Sequence, residues 1–296
     1  MQDGTVECIS SFSNDIEEEC SDTEQQKKGK YKHRKPIWWT QISRKGSKAQ
    51  RRAIKDMADY LLPRTVHGTF IDWNTSFGRA ETETLNIWLE IGFGAGDNLL
   101  QLAKQYPDKY FVGAEIHQPG VGKIMQKIKY GTENKCYWTG SCLYSSENDS
   151  RRADADSVRG ENVATENPYG NVRIYQGDGV QLLSRIPSRT LEAVLVTNPD
   201  PFPDDDQREW RLFQVHTLLE IRRVLVPSGR LYLATDHEGF FSWSHDVMKS
   251  TNTQEEVFRA IDPLPSRRLW LPVVSEYEQR GLENGRKPLL SCWEAL

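Results

Sequence analysis

Trp88-Leu89-Glu90-Ile91-Gly92-Phe93-Gly94-Ala95-Gly96-Asp97-Asn98-Leu99-Leu100 decides how the rest of the chain is read. An apolar run carries one acid, enters three glycines at alternate positions and passes at once into an amphipathic run. That is a strand, a tight turn and a helix. Glycines there let the backbone adopt conformations that a Cβ forbids, and they let a ligand approach the main chain. A dinucleotide fingerprint needs its last glycine one place further on. Asp97 holds that place and is expected to cap the new helix.

Outward from this turn, strand and helix patterns alternate. Strands are expected at Asn86–Ile91, Tyr110–Ile116, Asn171–Gln176, Leu191–Val196 and Arg230–Asp236, with closing strands at Ser275–Gly281 and Leu289–Trp293. Helices are expected at Asn98–Gln105, Val121–Tyr130, Val180–Ile186, Trp210–Leu225 and Phe240–Met248, the second on the opposite face from the first. In the fourth helix Leu212, Val215, Leu218, Leu219, Val224 and Leu225 are expected on the inner stripe. Such alternation demands a doubly wound, mostly parallel sheet of about seven strands, covered on both sides. Upstream, Gln50–Leu62 reads as a helix ended by Pro63, and Phe70–Phe77 as loop, with the core beginning near Leu85.

The flanks have a different character. From Met1 to Gln26 every charge is negative, and Ser and Thr fill the gaps. From Lys27 to Lys55 the sign reverses, with no acid in the run and Trp38 and Trp39 inside it. Residues 1–47 are therefore expected to form a disordered extension, acidic then basic, ahead of a domain over residues 48–296. The basic arm reads either as a solvated linker or as a contact for RNA phosphates with tryptophans that stack on bases. Residues 137–169 lack periodicity and are expected to be a mobile surface insertion.

Composition narrows the function classes. The chain has 296 residues, and 38 Lys+Arg against 42 Asp+Glu give a formal charge of −4. No global basic field marks it as a nucleic-acid binder, so such binding needs a local patch. Five cysteines with no CxxC or Cys/His cluster argue against a disulfide framework or a metal site, and suit a reducing compartment. No apolar run reaches the ~18 residues of a membrane span, and no secretory pattern opens the sequence. An intracellular protein, cytoplasmic or nuclear with an organelle left open, is expected.

Acids recur where strands end: Glu90, Glu115 at the tip of the second strand, Asp178 in Gly177-Asp178-Gly179, Asp200 after the fourth strand and Asp236 after the fifth. An acid at the tip of the second strand accepts from ribose hydroxyls in nucleotide-binding α/β folds. The fourth strand is almost wholly apolar and runs into Thr197-Asn198-Pro199-Asp200-Pro201-Phe202-Pro203, a turn in which three prolines prevent a helix. A polar turn at the end of a buried central strand is where α/β enzymes place their chemistry.

These residues carry a resemblance. Glu90, Gly92, Gly94 and Gly96 match the acidic-x-Gly-x-Gly-x-Gly pattern of S-adenosylmethionine-dependent methyltransferases. Together with Val112-Gly113-Ala114-Glu115-Ile116-His117, Gly120-Val121-Gly122, Asn198-Pro199-Asp200-Pro201-Phe202, and Thr235-Asp236 with Ser275-Glu276-Tyr277-Glu278-Gln279-Arg280-Gly281, the chain resembles the tRNA (guanine-N7-)-methyltransferase family. The resemblance implies a Rossmann-like methyltransferase fold, S-adenosylmethionine as cofactor and tRNA as partner, with no metal and no membrane. It implies cofactor contacts at Glu90, Gly92, Gly94, Glu115, Asp178, Gly179 and Asn198. It implies Asp200 as the catalytic acid, and substrate contacts at Asp236, Ser275, Glu278 and Arg211. Guanine N7 already carries an exposed lone pair, so alignment rather than a strong base is the main requirement.

One departure stands out. Where the family places a basic stretch that grips tRNA, this chain reads Pro203-Asp204-Asp205-Asp206-Gln207-Arg208-Glu209-Trp210-Arg211. Two alternatives therefore stay open: a methyltransferase of exocyclic amines, whose Asn-Pro-Pro-aromatic turn is similar, and a cofactor-binding relative without tRNA activity. The sequence also leaves open whether a helper subunit takes part.

Overall fold

The computed structural model describes residues 45–64, 69–131 and 167–296. The expected extension over residues 1–47 lies outside these apart from residues 45–47, and the expected insertion lies outside them apart from residues 167–169.

Among the described residues, seven strands build one sheet: β1 (Ile87–Ile91), β2 (Tyr110–Glu115), β3 (Val172–Gln176), β4 (Leu191–Thr197), β5 (Leu225–Thr235), β6 (Phe258–Ala260) and β7 (Leu289–Ala295). Their order is β3-β2-β1-β4-β5-β7-β6. Only the two pairings made by β7 are antiparallel. Pro227-Ser228-Gly229 bulges from β5, because Leu191 pairs with Leu225 while Ala193 pairs with Arg230.

Among the described residues, eight α-helices cover the sheet: α1 (Lys48–Asp56), α2 (Trp73–Phe77), α3 (Asp97–Gln105), α4 (Gln118–Tyr130), α5 (Gly179–Leu183), α6 (Val215–Val224), α7 (Glu238–Thr251) and α8 (Glu276–Glu283). One core cluster joins the sheet to α2, α5, α6 and α7 through Trp73, Leu182, Ile221 and Phe240. The other joins it to α1, α3 and α4 through Ala53, Leu99 and Ile124. Leu89, Val194 and Leu231 feed the first cluster, and Phe111, Leu195 and Tyr232 the second, so the pleat buries both faces.

The expected placement of Val121–Tyr130 on the face opposite the preceding helix is overturned: α3 and α4 share a face. The reason is handedness. Steps from β1 to β2 and from β2 to β3 run the same way across the sheet, and right-handed crossovers put both helices on one side. The step from β3 to β4 reverses direction, so α5 and α6 fall on the other.

Five further expectations change. Gln50–Leu62 is not one helix. Ser47 and Gln50 form a reciprocal capping box, α1 ends at Asp56, and Leu61 leaves to bridge Ile174 at the edge of β3. Phe70–Phe77 is not simply loop: Asp72 caps α2 by accepting from Thr75 N (3.1 Å), and Ile71, Trp73 and Phe77 belong to the core. Ser275–Gly281 is not a strand but the start of α8, and Phe258–Ala260 supplies β6. The span Trp210–Leu225 holds a 3-10 turn (Asp205–Trp210) and then α6, whose buried stripe is Thr217, Leu218, Ile221 and Val224. Val215 and Leu219 are exposed, because each residue turns the helix by about 100° and carries Leu219 away from that stripe. Asp97 also does not cap α3; it is the first helical residue, and it pairs with Lys127 (2.6 Å).

Candidate functional site

The strand order reverses between β1 and β4, and ligands in open α/β sheets bind at the C-terminal edge beside such a point. Glu90 stands at the end of β1, Glu115 at the end of β2, and Asp178, Asp200 and Asp236 just beyond β3, β4 and β5. Five acids from five parallel strands therefore meet at one edge.

The turn after β1 forms as the alternate glycines dictate. Gly92, Gly94 and Gly96 have φ of +76°, +58° and +78°. A Cβ on Gly96 would stand 2.4 Å from Ile124 Cδ1, so this glycine lets α4 approach, whereas a Cβ on Gly92 would meet nothing within 4 Å. The backbone at Gly92 thus borders open space. Lys127 closes the turn from α4 by donating to Ala95 O (2.8 Å) and Asp97 (2.6 Å).

Glu115 is buried and holds two loops together. Its Oε2 accepts from Gly94 N (2.8 Å), and its Oε1 from His117 N (2.8 Å). Burial pushes its pKa up, while these amides and His117 pull it down. The carboxylate keeps acceptor capacity for a further donor.

Glu90 is 2% exposed, and its Oε1 accepts from Thr197 Oγ1 (3.0 Å) and Asn98 Nδ2 (3.3 Å). Its Oε2 is buried without a hydrogen-bond partner. Burial dominates and pushes its pKa up to about 7; Asp97 and Glu115 add to the rise. An orphaned carboxylate oxygen beside an open glycine turn suits a cofactor that carries cationic groups, and S-adenosylmethionine carries two. The residues present therefore fit that group.

Asp178 caps α5, accepting from Val180 N (2.8 Å), and burial raises its pKa. Gly179 has a packing role rather than a visible ligand contact: a Cβ there would stand 2.6 Å from Ile91 Cγ2. Asn198 has φ +48° and Phe202 φ +41°, so the turn that carries Asp200 is bent at both ends. Left-handed backbone costs of order 1–3 kcal/mol at a residue such as Phe. Asn198 Nδ2 donates to Ser275 Oγ (3.4 Å), tying this turn to α8. Asp200 is exposed as a residue, yet burial of its carboxyl raises its pKa, and His117 opposes the rise. Asp236 accepts from Arg286 Nε (2.8 Å), and a Cβ on Gly281 would stand 2.4 Å from its Oδ2, so α8 presses against this acid.

Two expected substrate residues face inward instead. Glu278 is 3% exposed, and both its oxygens pair with Arg267, through Nη1 and, at 2.6 Å, through Nη2. That pair locks α8 to the Arg267 segment and occupies both Glu278 oxygens. Arg211 is 6% exposed and donates to the carbonyls of Pro201 and Phe202, so its guanidinium is engaged inside the protein. Ser275 accepts from Glu278 N (3.1 Å) as the cap of α8. Asp204, Asp205 and Asp206 are exposed, with Asp205 paired to Arg208 (2.6 Å).

Sequence reasoning missed Thr197 and Asn98 as partners of Glu90, Arg267 as partner of Glu278, and Tyr277. Asn98 had a signal, since it opens the helix after the glycine turn; Arg267 had none. Tyr277 is 64% exposed and is the nearest atom set to a Cβ on Gly94, at 3.9 Å. Among the described residues, no group of three or more His, Cys, Asp or Glu is arranged to hold a metal, and no helix is long and apolar enough to cross a membrane.

Comparison with known proteins follows the same lines. The Methyltransf_4 family model, described as "Putative methyltransferase", matches residues 85–290. A tRNA (guanine-N(7)-)-methyltransferase of Ralstonia pickettii (strain 12J) is 30% identical over 241 residues, covering 81% of this chain and 76% of the relative. One from Halorhodospira halophila (strain DSM 244 / SL1) is 29% identical over 253 residues, covering 84% and 90%. One from Hydrogenovibrio crunogenus (strain DSM 25203 / XCL-2) is 28% identical over 239 residues, covering 79% and 80%. With five strand-end acids around a glycine turn and these matches across most of its length, the chain belongs to the tRNA (guanine-N7-)-methyltransferase family of S-adenosylmethionine-dependent methyltransferases.

Proposed function

We propose that residues 48–296 form a domain that methylates N7 of a guanine in tRNA. The observation that carries this reading is the meeting of Asp200 and Asp236 with Glu90 and Glu115 at one edge of the sheet. When bound, S-adenosylmethionine supplies an electrophilic methyl group. Glu115 accepts from the ribose hydroxyls, Glu90 and Asp178 contribute negative charge beside the glycine turn, and Gly92 and Gly94 leave the space.

The acceptor needs no deprotonation, because its N7 lone pair is free. The chain's task is placement, which can contribute about 7–11 kcal/mol. Asp200 and Asp236 accept from the guanine N1–H and exocyclic amine, which distinguishes guanine from adenine. Tyr277, exposed beside Gly94, offers a face to a base taken out of its stack.

The RNA grip shifts relative to the family pattern. Exposed Lys45, Lys48, Arg51, Arg52 and Lys55 line α1 and its approach. Gly46 N donates to Gln118 Oε1 (3.0 Å), and Gln50 Nε2 to Pro119 O (3.3 Å), which seats this basic helix beside the start of α4 and hence beside Glu115. Each phosphate it neutralises adds a salt-sensitive increment to affinity. A tRNA substrate sets the reaction inside the cell.

Methyl transfer to bulk tRNA followed by mass analysis of the nucleosides tests this. N7-methylguanosine supports it. An amine-methylated base would assign the chain to a different specificity, and retained cofactor binding without product would make it a non-catalytic relative.

A further inference from the structure

We propose that Arg211 is a positioning residue for Asp200 and not a contact for RNA. The inference rests on the methyl-transfer reading above for its kinetic consequence, but its structural half stands alone.

Arg211 occupies the one place in the post-turn segment where a cation matches the family's basic stretch, so a phosphate contact is the reading its position invites. The structure gives it other work. Its Nε lies 3.0 Å from Pro201 O and 3.2 Å from Phe202 O, and its Nη2 donates to Phe202 O at 2.9 Å. These carbonyls belong to the two residues that directly follow Asp200. The guanidinium also lies over the Trp243 ring, 5.0 Å from its centroid, and Trp243 is itself fixed by donating Nε1 to Phe213 O (2.9 Å). Gln214 Nε2 donates to Arg211 O (3.2 Å), holding the main chain from the other side. A planar fork that bridges two carbonyls while stacked on an indole is geometry a guanidinium provides and an ammonium does not.

The turn needs such a brace. It enters at Asn198 and leaves at Phe202 with positive φ, and its prolines lack amides, so it makes few main-chain hydrogen bonds of its own. Asn198 N to Ala234 O (2.8 Å) holds the entrance. Arg211 holds the exit, and Asp200 lies between the two. Releasing the exit lets Asp200 move relative to the glycine turn, and misplacement of about 1 Å can cost about a hundredfold in rate.

The test compares Arg211→Lys and Arg211→Ala with wild type in kcat, in KM for tRNA and in the salt dependence of tRNA binding. If Arg211 positions Asp200, Arg211→Lys loses at least tenfold in kcat despite keeping its charge, while tRNA affinity and its salt slope stay within twofold. Millimolar guanidinium should restore part of the rate of Arg211→Ala. Amide exchange at Asn198 and at residue 211, whose N–H groups donate to Ala234 O (2.8 Å) and Arg208 O (3.2 Å), should quicken in Arg211→Lys without RNA present, with the rest of the sheet unchanged. Normal kcat in Arg211→Lys, or a loss confined to tRNA affinity and salt slope, overturns the proposal. The exchange measurement needs no substrate. It therefore separates failure of this inference, seen as unchanged exchange, from failure of the proposed reaction, seen as no N7-methylguanosine from wild type.

Discussion

Glu90→Gln isolates the cost of one buried charge. Glu90 is 2% exposed, one of its oxygens has no partner, and its pKa stands at about 7 against an ordinary 4.5. A carboxylate whose folded pKa exceeds its unfolded value stabilises the fold fully below the unfolded pKa. That contribution is lost as pH rises through the folded one. The two values here differ enough to make the loss about 3 kcal/mol between pH ~5 and pH ~8. Gln is close in shape, its amide oxygen can still accept from Thr197 and Asn98, and it does not titrate. Urea unfolding of both proteins without cofactor, at several pH values across that window, reads the effect. The variant should gain on wild type by about 2–3 kcal/mol from the acid end to the alkaline end. Asp178 and Asp200 also have raised pKa values, so both proteins lose stability with rising pH through them, and the difference between the two curves removes that shared slope; Glu115 repels Glu90, so its own part of the slope belongs to the difference. Parallel curves with a constant offset would refute the account of Glu90 as a buried carboxyl that is uncharged in the acid half of the window.

Gly96→Ala should lose about 2–4 kcal/mol of stability, since a Cβ meets Ile124 at 2.4 Å and the residue needs φ +78°; thermal unfolding measures it, and an unchanged midpoint contradicts the packing. Asp200→Ala should abolish methyl transfer to tRNA yet leave the protein folded and no less stable, because the residue is exposed and its carboxyl is disfavoured as the charged form; a near-normal rate would remove Asp200 from its role. Replacing Asp204, Asp205 and Asp206 together by Lys should tighten tRNA binding at low salt, with a steeper salt slope; binding isotherms at two salt concentrations decide it, and unchanged affinity would mean that the exposed segment does not face RNA.

Much of this protein was legible in its residues before any fold was known. Alternation of apolar runs with amphipathic ones points to the parallel sheet, and glycines at every second place point to the turn, since positive φ and close approach both favour a residue without a Cβ. Acids directly after apolar strands mark a binding edge because strand ends in a parallel sheet all face one way. These are local properties, decided by each residue and its near neighbours.

What only the tertiary structure decided concerns where side chains point. Ser275–Gly281 reads as a strand until the capping bond from Glu278 N to Ser275 Oγ and the packing of Gly281 on Asp236 reveal a helix. Glu278 and Arg211 look like substrate contacts on the page, but Arg267 takes one, and the carbonyls of Pro201 and Phe202 with Trp243 take the other. A charged side chain turns inward only when a partner offsets its desolvation. The hydrogen-bond partners here lie only 9 to 11 residues away, but the turns that fold the chain back on itself there follow no periodic pattern that a single sequence displays.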